Sequence, residues 1–281
     1  MPRSAGPARS AASCWQPGCS PARRTRRLAA AAALSGAALP LATRCFAAAG
    51  GRAGARVGAV IFDCDGTLLD TETAYLEAFN RAASQYYQGP REDVLQSPQS
   101  WGRDFVGRGN GSAIAVARFG LGCTAQEFDA RWTRNFGEII AVPGSVPLLK
   151  GFDELYWAAR AHGVRVAVAS SSSGATLRQK LSNLLLAQSR AVGTLADFDV
   201  IVSNDNVTRF KPDPEIYRLA ARTLGLPPEA CLVVEDSLPG VHAGKGAGMR
   251  VVAVPNPYTA AQDFSLADHV AESMLEVVGL L

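Results

Sequence analysis

The sequence predicts an α/β fold, a doubly wound parallel sheet of Rossmann type with a small α-helical cap domain set into it. Three observations predict it. Short apolar runs rich in Val and Ile recur along the chain after residue 56, and they show little alternation, as strands buried on both faces do. Helix-like stretches stand between those runs, and β-then-α alternation argues for an open, doubly wound sheet. One long segment, 73–141, breaks the alternation with helical spacing alone.

Taken in order, the first strand is expected at Val57–Phe62 (VGAVIF) and the second at Val164–Ala169 (VRVAVA). The third is the short Val200–Val202, the fourth Leu232–Val234, and the fifth Val251–Val254. Helices are expected over Phe152–His162, Gly174–Ala187, Pro214–Leu224 and Pro239–Ala247. In the insertion, Tyr75, Phe79, Ala82 and Tyr86 fall on one helical face, as do Trp132, Phe136 and Ile140. The domains expected are therefore a core of 57–72 plus 142–281, and a helical cap of 73–141.

Residues 1–56 are a different kind of chain. Of the 28 basic residues, nine arginines precede the first acid, Asp63. That segment is rich in Ala, Arg, Ser, Gly and Pro, the profile of an organelle targeting presequence. We expect it to be disordered and to direct the protein to the chloroplast, with the thylakoid lumen or the mitochondrion as alternatives. Its alanine-rich run is broken by Ser35, Gly36 and Pro40 and makes a poor membrane span. Once the leader is set aside, the body's 25 acids outnumber its basic residues. That balance argues against nucleic acid as a partner and leaves a small-molecule substrate. A monomer is expected.

Cys14, Cys19 and Cys45 lie in the leader; the body keeps Cys64, Cys123 and Cys231, with no CxxC pair. A disulfide framework and a zinc site are both disfavoured, and the three read as small buried hydrophobes.

In an open α/β sheet, ligands bind beyond the carboxyl ends of the strands, so the polar residues there carry the function. The first strand ends on Asp63 and Asp65, followed by Gly66 and Thr67. The second ends on Ser170, which opens a run of four serines before a glycine and a helix. Lys211 lies in FKPDP after the third, and Glu235 and Asp236 end the fourth. Carboxylates crowded together repel unless a cation neutralises them, and oxygen ligands suit Mg²⁺. A Ser/Gly-rich helix start and a lysine suit a phosphate. The set points to Mg²⁺-dependent chemistry on a phosphate ester. Asp63 would attack phosphorus and form an aspartyl-phosphate. Asp65 would protonate the leaving oxygen and then deprotonate the attacking water. Ser170, Ser171 (through its backbone N–H) and Lys211 would grip the phosphoryl group. Ser172 and Ser173 read as plain turn residues.

Asp63–Thr67 (DCDGT), Ser170 after VAVA, Lys211 in KPDP and Glu235-Asp236 resemble the four ordered motifs of the haloacid dehalogenase superfamily. The resemblance spans almost the whole body. The second aspartate is that of the phosphatase and phosphomutase branch, the one that includes the β-phosphoglucomutase-like proteins, and the insertion resembles that branch's helical cap. It implies Asp63, the Asp65 backbone carbonyl and Asp236 as direct Mg²⁺ ligands, with Glu235 acting mainly through water. A finer resemblance, in KPDPEIYRLAARTLGLPPEACLVVEDSLPGVHAGKGAGMRVVAV and YTAAQDF, is to the plastid and bacterial phosphatases of xylulose 1,5-bisphosphate. It implies a sugar phosphate or bisphosphate substrate; phosphoglycolate hydrolysis and sugar phosphomutase activity are the alternatives. Those relatives carry a Gly-Gly-Lys-Glu-Arg-like loop in the cap where this chain has Val106-Gly107-Arg108-Gly109-Asn110-Gly111. Arg108 and Asn110 are the candidate substrate contacts there.

Overall fold

The structure, a computed structural model, describes residues 56–106 and 110–281. Residues 1–55 of the expected presequence and Arg108 lie outside the described residues.

Six strands form one sheet: β1 Ala59–Phe62, β2 Arg165–Ala169, β3 Val200–Val202, β4 Cys231–Glu235, β5 Arg250–Ala253 and β6 His269–Val270. They lie in the order β3-β2-β1-β4-β5-β6, and every pairing is parallel. The first strand is thus interior, with β2 on one side and β4 on the other. All its side chains are buried, as are those of β4. This explains why neither strand alternates in sequence: both faces are covered. Phe62, Val166, Val168 and Val234 pack on one face with Phe152 and Leu155. Ile61, Ala167 and Val233 pack on the other with Ile216, Tyr217 and Val241.

The helices are α1 Thr71–Tyr86, α2 Pro98–Asp104, α3 Gly111–Phe119, α4 Ala125–Ile140, α5 Phe152–Ala161, α6 Gly174–Lys180, α7 Glu215–Leu224, α8 Leu238–Gly246 and α9 Met274–Val277. The first four belong to the insertion. Asp70 caps α1, its carboxylate accepting from the Thr73 N–H at 3.4 Å. Thr124 and Glu127 form a capping box at the start of α4. Helix α1 lies along α4, and Phe79, Trp101, Phe105 and Phe128 are buried between the insertion's helices. Trp101, Phe105, Phe128 and Trp132 surround Phe79 at centroid distances of 4.7–5.5 Å. The insertion therefore has an aromatic core of its own, while Ala74, Ala78, Phe136 and Ile140 join the core under the sheet.

Two expectations change. The helix expected over 174–187 stops being α-helical at Lys180 and continues as a π-type turn, Leu181–Leu185. Strand β6 was not expected; at two residues it is too short to show a pattern. Cys64 and Cys231 are buried and Cys123 is half-buried, all three as free thiols. Among the described residues no helix is long and apolar enough to cross a membrane.

Candidate active site

The site is built on the central strand. The Asp63 backbone N–H donates to Val234 O at 3.0 Å, so β4 fixes where the chain leaves β1. The next turn needs a glycine at 66: its φ is +77°, and a Cβ there would lie 2.3 Å from the Asp236 carboxylate. Asp63 and Asp236 are thereby brought to neighbouring strand ends, both buried.

Lys211 closes this floor from the loop after β3. Its ammonium donates to Asp63 Oδ1 at 2.6 Å, to Glu235 Oε1 at 2.7 Å and to Ala169 O at 3.1 Å. Glu235 Oε1 also accepts from the Tyr217 hydroxyl at 2.8 Å. Its Oε2 accepts from the Asp236 and Ser237 N–H groups and from the Ser237 hydroxyl. Glu235 is thus hydrogen-bonded on both oxygens. A Cβ at Gly240, in the first turn of α8, would fall 1.8 Å from it, so only glycine lets the helix sit this close.

Asp63, Glu235 and Asp236 each offer a carboxylate oxygen, and the three atoms lie within 4.8 Å of one another. One ammonium answers three buried carboxylates. The side-chain hydrogen bonds to Asp236 come from neutral groups, the Thr67 hydroxyl at 3.2 Å and the Asn256 amide at 2.7 Å. Burial first, then the charges of Glu235, Asp63 and Glu72, push Asp236 well above the usual carboxylate range. Burial likewise lifts Asp63 to about 7; Lys211 opposes this, and Glu235 and Asp65 add to it. Carboxylates this reluctant to ionise fit a site shaped for a divalent cation, which would supply the missing positive charge.

Asp65 faces another way. Its Oδ1 accepts a hydrogen bond from Lys180, and its Oδ2 accepts from the hydroxyls of Ser172 at 3.0 Å and Ser170 at 3.4 Å. Burial works against ionisation here too. The Lys180 charge and hydrogen bond, with the hydrogen bond from Ser172, nonetheless hold Asp65 below the usual range. Ser170 is fully buried, and its Oγ accepts from the Ser172 N–H at 3.1 Å. Ser171 is exposed at the mouth of the same loop. Beside it a cavity of about 280 Å³ is lined by Ser171, Ser172, Ser173 and Thr176 on one side and by Tyr75, Trp132 and Phe136 from the insertion on the other.

The structure therefore brings together Asp63, Asp65, Ser170, Lys211, Glu235 and Asp236. Asn110 is exposed at the start of α3, with no side-chain capping bond. Sequence reasoning missed Lys180, Tyr217, Thr67 and Asn256, and it set Ser172 aside; the Ser172 hydroxyl in fact bonds both Asp65 and Lys180. Tyr217 had a weak signal, lying four residues past Asp213 in the lysine motif, and Thr67 closes the DCDGT motif; Lys180 and Asn256 had none.

A strand-end aspartate met by a lysine, a serine loop and two further acids is an arrangement suited to phosphoryl chemistry on a Rossmann-type sheet. Residues 57–248 match the family model of the haloacid dehalogenase-like hydrolases, and the chain belongs to that family. It is a phosphatase of the branch that includes CbbY. It is 37% identical over 216 residues to Protein CbbY of Rhodobacter capsulatus, a match covering 75% of this chain and 90% of the relative. It is 34% identical to a bifunctional riboflavin kinase/FMN phosphatase of Arabidopsis thaliana, over 78% of this chain and 54% of that protein. Among solved structures it is similar to a CbbY variant from Rhodobacter sphaeroides in complex with xylulose-1,5-bisphosphate. There the TM-score is 0.59 and the identity 30%, covering 78% of this chain and 96% of that one.

Proposed function

We propose that this protein is a Mg²⁺-dependent phosphatase of a sugar phosphate or bisphosphate, with xylulose 1,5-bisphosphate as the leading candidate. The observation that carries the reading is the floor of the site: Asp63 is held at the end of the central strand by Lys211, beside Asp236, with one ammonium for three carboxylates. Asp63, Asp236 and the Asp65 backbone carbonyl would hold Mg²⁺, backed by Glu235; bound there it supplies the charge that lets one anion approach another.

The remaining chemistry falls to the chain. Asp63 Oδ attacks phosphorus and the ester P–O bond breaks, leaving a phosphorylated Asp63. Asp65 rests as the carboxylate beside Lys180, so it first takes up a proton from solvent and then gives that proton to the departing oxygen. It then takes a proton from the water that attacks the phosphorylated Asp63, which releases inorganic phosphate and restores the carboxylate. Lys211, Ser170 and the Ser171 N–H hold the phosphoryl oxygens throughout. Residues 73–141 act as a cap over the leaving group, with Arg108 and Asn110 as its candidate contacts. Residues 1–56 direct the chain to the chloroplast, a reading supported by their acid-free composition.

The test is a comparison of kcat/KM on the full chain with Mg²⁺ for xylulose 1,5-bisphosphate, 2-phosphoglycolate, FMN and glucose 1-phosphate. We expect the first to lead by at least tenfold. Faster turnover of FMN or 2-phosphoglycolate would reassign the substrate, and conversion of glucose 1-phosphate to the 6-phosphate would make it a mutase.

A further inference from the structure

Lys180 belongs to none of the motifs, yet it is fully buried at the last residue of α6. Its ammonium donates to Asp65 Oδ1, to the Ser172 hydroxyl at 2.9 Å and to the Tyr75 hydroxyl at 3.2 Å. It also lies 5.2 and 5.1 Å from the ring centroids of Tyr75 and Phe136, which are stacked at 3.9 Å. A buried ammonium is tolerated only when its donors are met. Here all three are met, and two aromatic faces flank the charge. Such a cation has one place to be, and so has whatever it binds. The carboxylate of Asp65 is therefore held on both oxygens: Oδ1 by Lys180, Oδ2 by Ser172 and Ser170.

We propose that Lys180 is the positioning residue for Asp65, fixing the rotation at which its carboxylate meets the leaving oxygen. The inference rests on the reading of Asp65 as the proton donor given above, and Lys180 acts by holding the orientation of the carboxyl group, since its charge by itself favours the ionised form. A charged partner supplies what the serines cannot. Hydroxyls orient a carboxylate weakly and share it with water, whereas a buried ammonium that bonds one carboxylate holds it in one arrangement. The rings keep the ammonium itself in place, and they come from α1 and α4, so Asp65 is fixed relative to the helices that cover the substrate.

The test compares two aryl esters of similar shape, phenyl phosphate and p-nitrophenyl phosphate. The value of kcat/KM covers steps only up to release of the leaving group, and nitrophenolate departs without a proton while phenolate needs one. Lys180→Met should lower kcat/KM for phenyl phosphate by at least about 30-fold and for p-nitrophenyl phosphate by less than about fivefold, a fraction of what general acid catalysis is worth. An equal loss on both esters would mean that Lys180 merely supports the fold, and it overturns the proposal. Asp65→Asn must show the same selectivity; if it does not, the reading of Asp65 itself fails, whatever Lys180 does. Adding Lys180→Met to Asp65→Asn should change nothing further on phenyl phosphate, and multiplied losses would overturn the proposal. Should Lys180→Met show no cooperative thermal transition, Lys180→Gln takes its place with the same two outcomes.

Discussion

Two lysines are buried within reach of the two motif aspartates, and their surroundings differ in charge. Lys211 stands among three carboxylates, Asp63, Glu235 and Asp236. Lys180 bonds one carboxylate, and its other partners are hydroxyls and rings. The first lysine thus faces more carboxylates than it can neutralise, and the second bonds a single one. The aspartates follow suit: Asp63 is pushed up to about 7, mainly by burial, whereas Asp65 sits below its usual range beside Lys180. Two carboxylates with a single residue between them are thus given different electrostatic surroundings by the lysine each meets. The floor has room for a further cation; the wall has none to spare.

The comparison can be broken most directly at the nucleophile. Asp63→Asn should lower kcat by at least about 1,000-fold, since a missing nucleophile has no substitute. The protein should remain folded by circular dichroism, because burial makes the charge at this position unfavourable in the first place. A smaller loss would move the nucleophile elsewhere.

Removing the floor's own cation should be the largest effect on stability. Lys211→Met strands Asp63 and Glu235 without their ammonium, a change worth about 3–5 kcal/mol for a buried pair. Denaturant unfolding measures it. A change below 1 kcal/mol, on the order of a neutral hydrogen bond, would mean that the carboxylates simply take up protons.

The charge excess also predicts a pH effect that the wall does not share. The folded-state values of Asp63 and Asp236 are raised, so the metal-free folded protein binds more protons than the unfolded chain. Its stability should therefore fall as pH rises from the ordinary carboxylate range through about 7. Mg²⁺ must displace those protons. It should raise the thermal midpoint more at pH 8 than at pH 6, and calorimetry in buffers of different ionisation enthalpy should show proton release. A larger rise at pH 6 would contradict the charge assignment.

Finer contrasts follow. Tyr217→Phe removes one hydrogen bond to Glu235 and keeps the ring against Lys211, so about 1.5 kcal/mol should be lost on unfolding. Asn110→Ala, at an exposed position with no side-chain cap bond, should change stability by less than about 0.5 kcal/mol. Any effect it has should appear in KM alone.

How much of this could be read from the chain depended on where each signal lay. The buried strands are legible because β1, β2 and β4 are apolar throughout, and the acids end those runs abruptly. The same abruptness made Asp63, Ser170 and Asp236 conspicuous. Lys180 gave no such signal. In GATLRQKLS it looks like an ordinary helix cation, and its burial comes from Tyr75 and Phe136, distant in sequence. Ser172 was lost among four serines, since only the fold says which hydroxyl turns inward. Asn256 lies in a loop after β5 and reaches Asp236 and the Gly66 carbonyl across the site. Partners joined across loops in this way leave no periodicity to read.

The interior place of β1 also bears on how the molecule is made. The strand that leads into Asp63 is the earliest of the six in the chain, yet its neighbours come much later: Ala59 pairs with Arg165 on one side and Cys231 on the other. A ribosome has delivered most of the polypeptide before the second pairing is possible. Until then the most apolar strand has an open edge, of the kind that invites aggregation and chaperones. Pairing over such separations slows folding. Asp63 is among the first active-site residues synthesised, and its backbone anchor on Val234 is among the last to form.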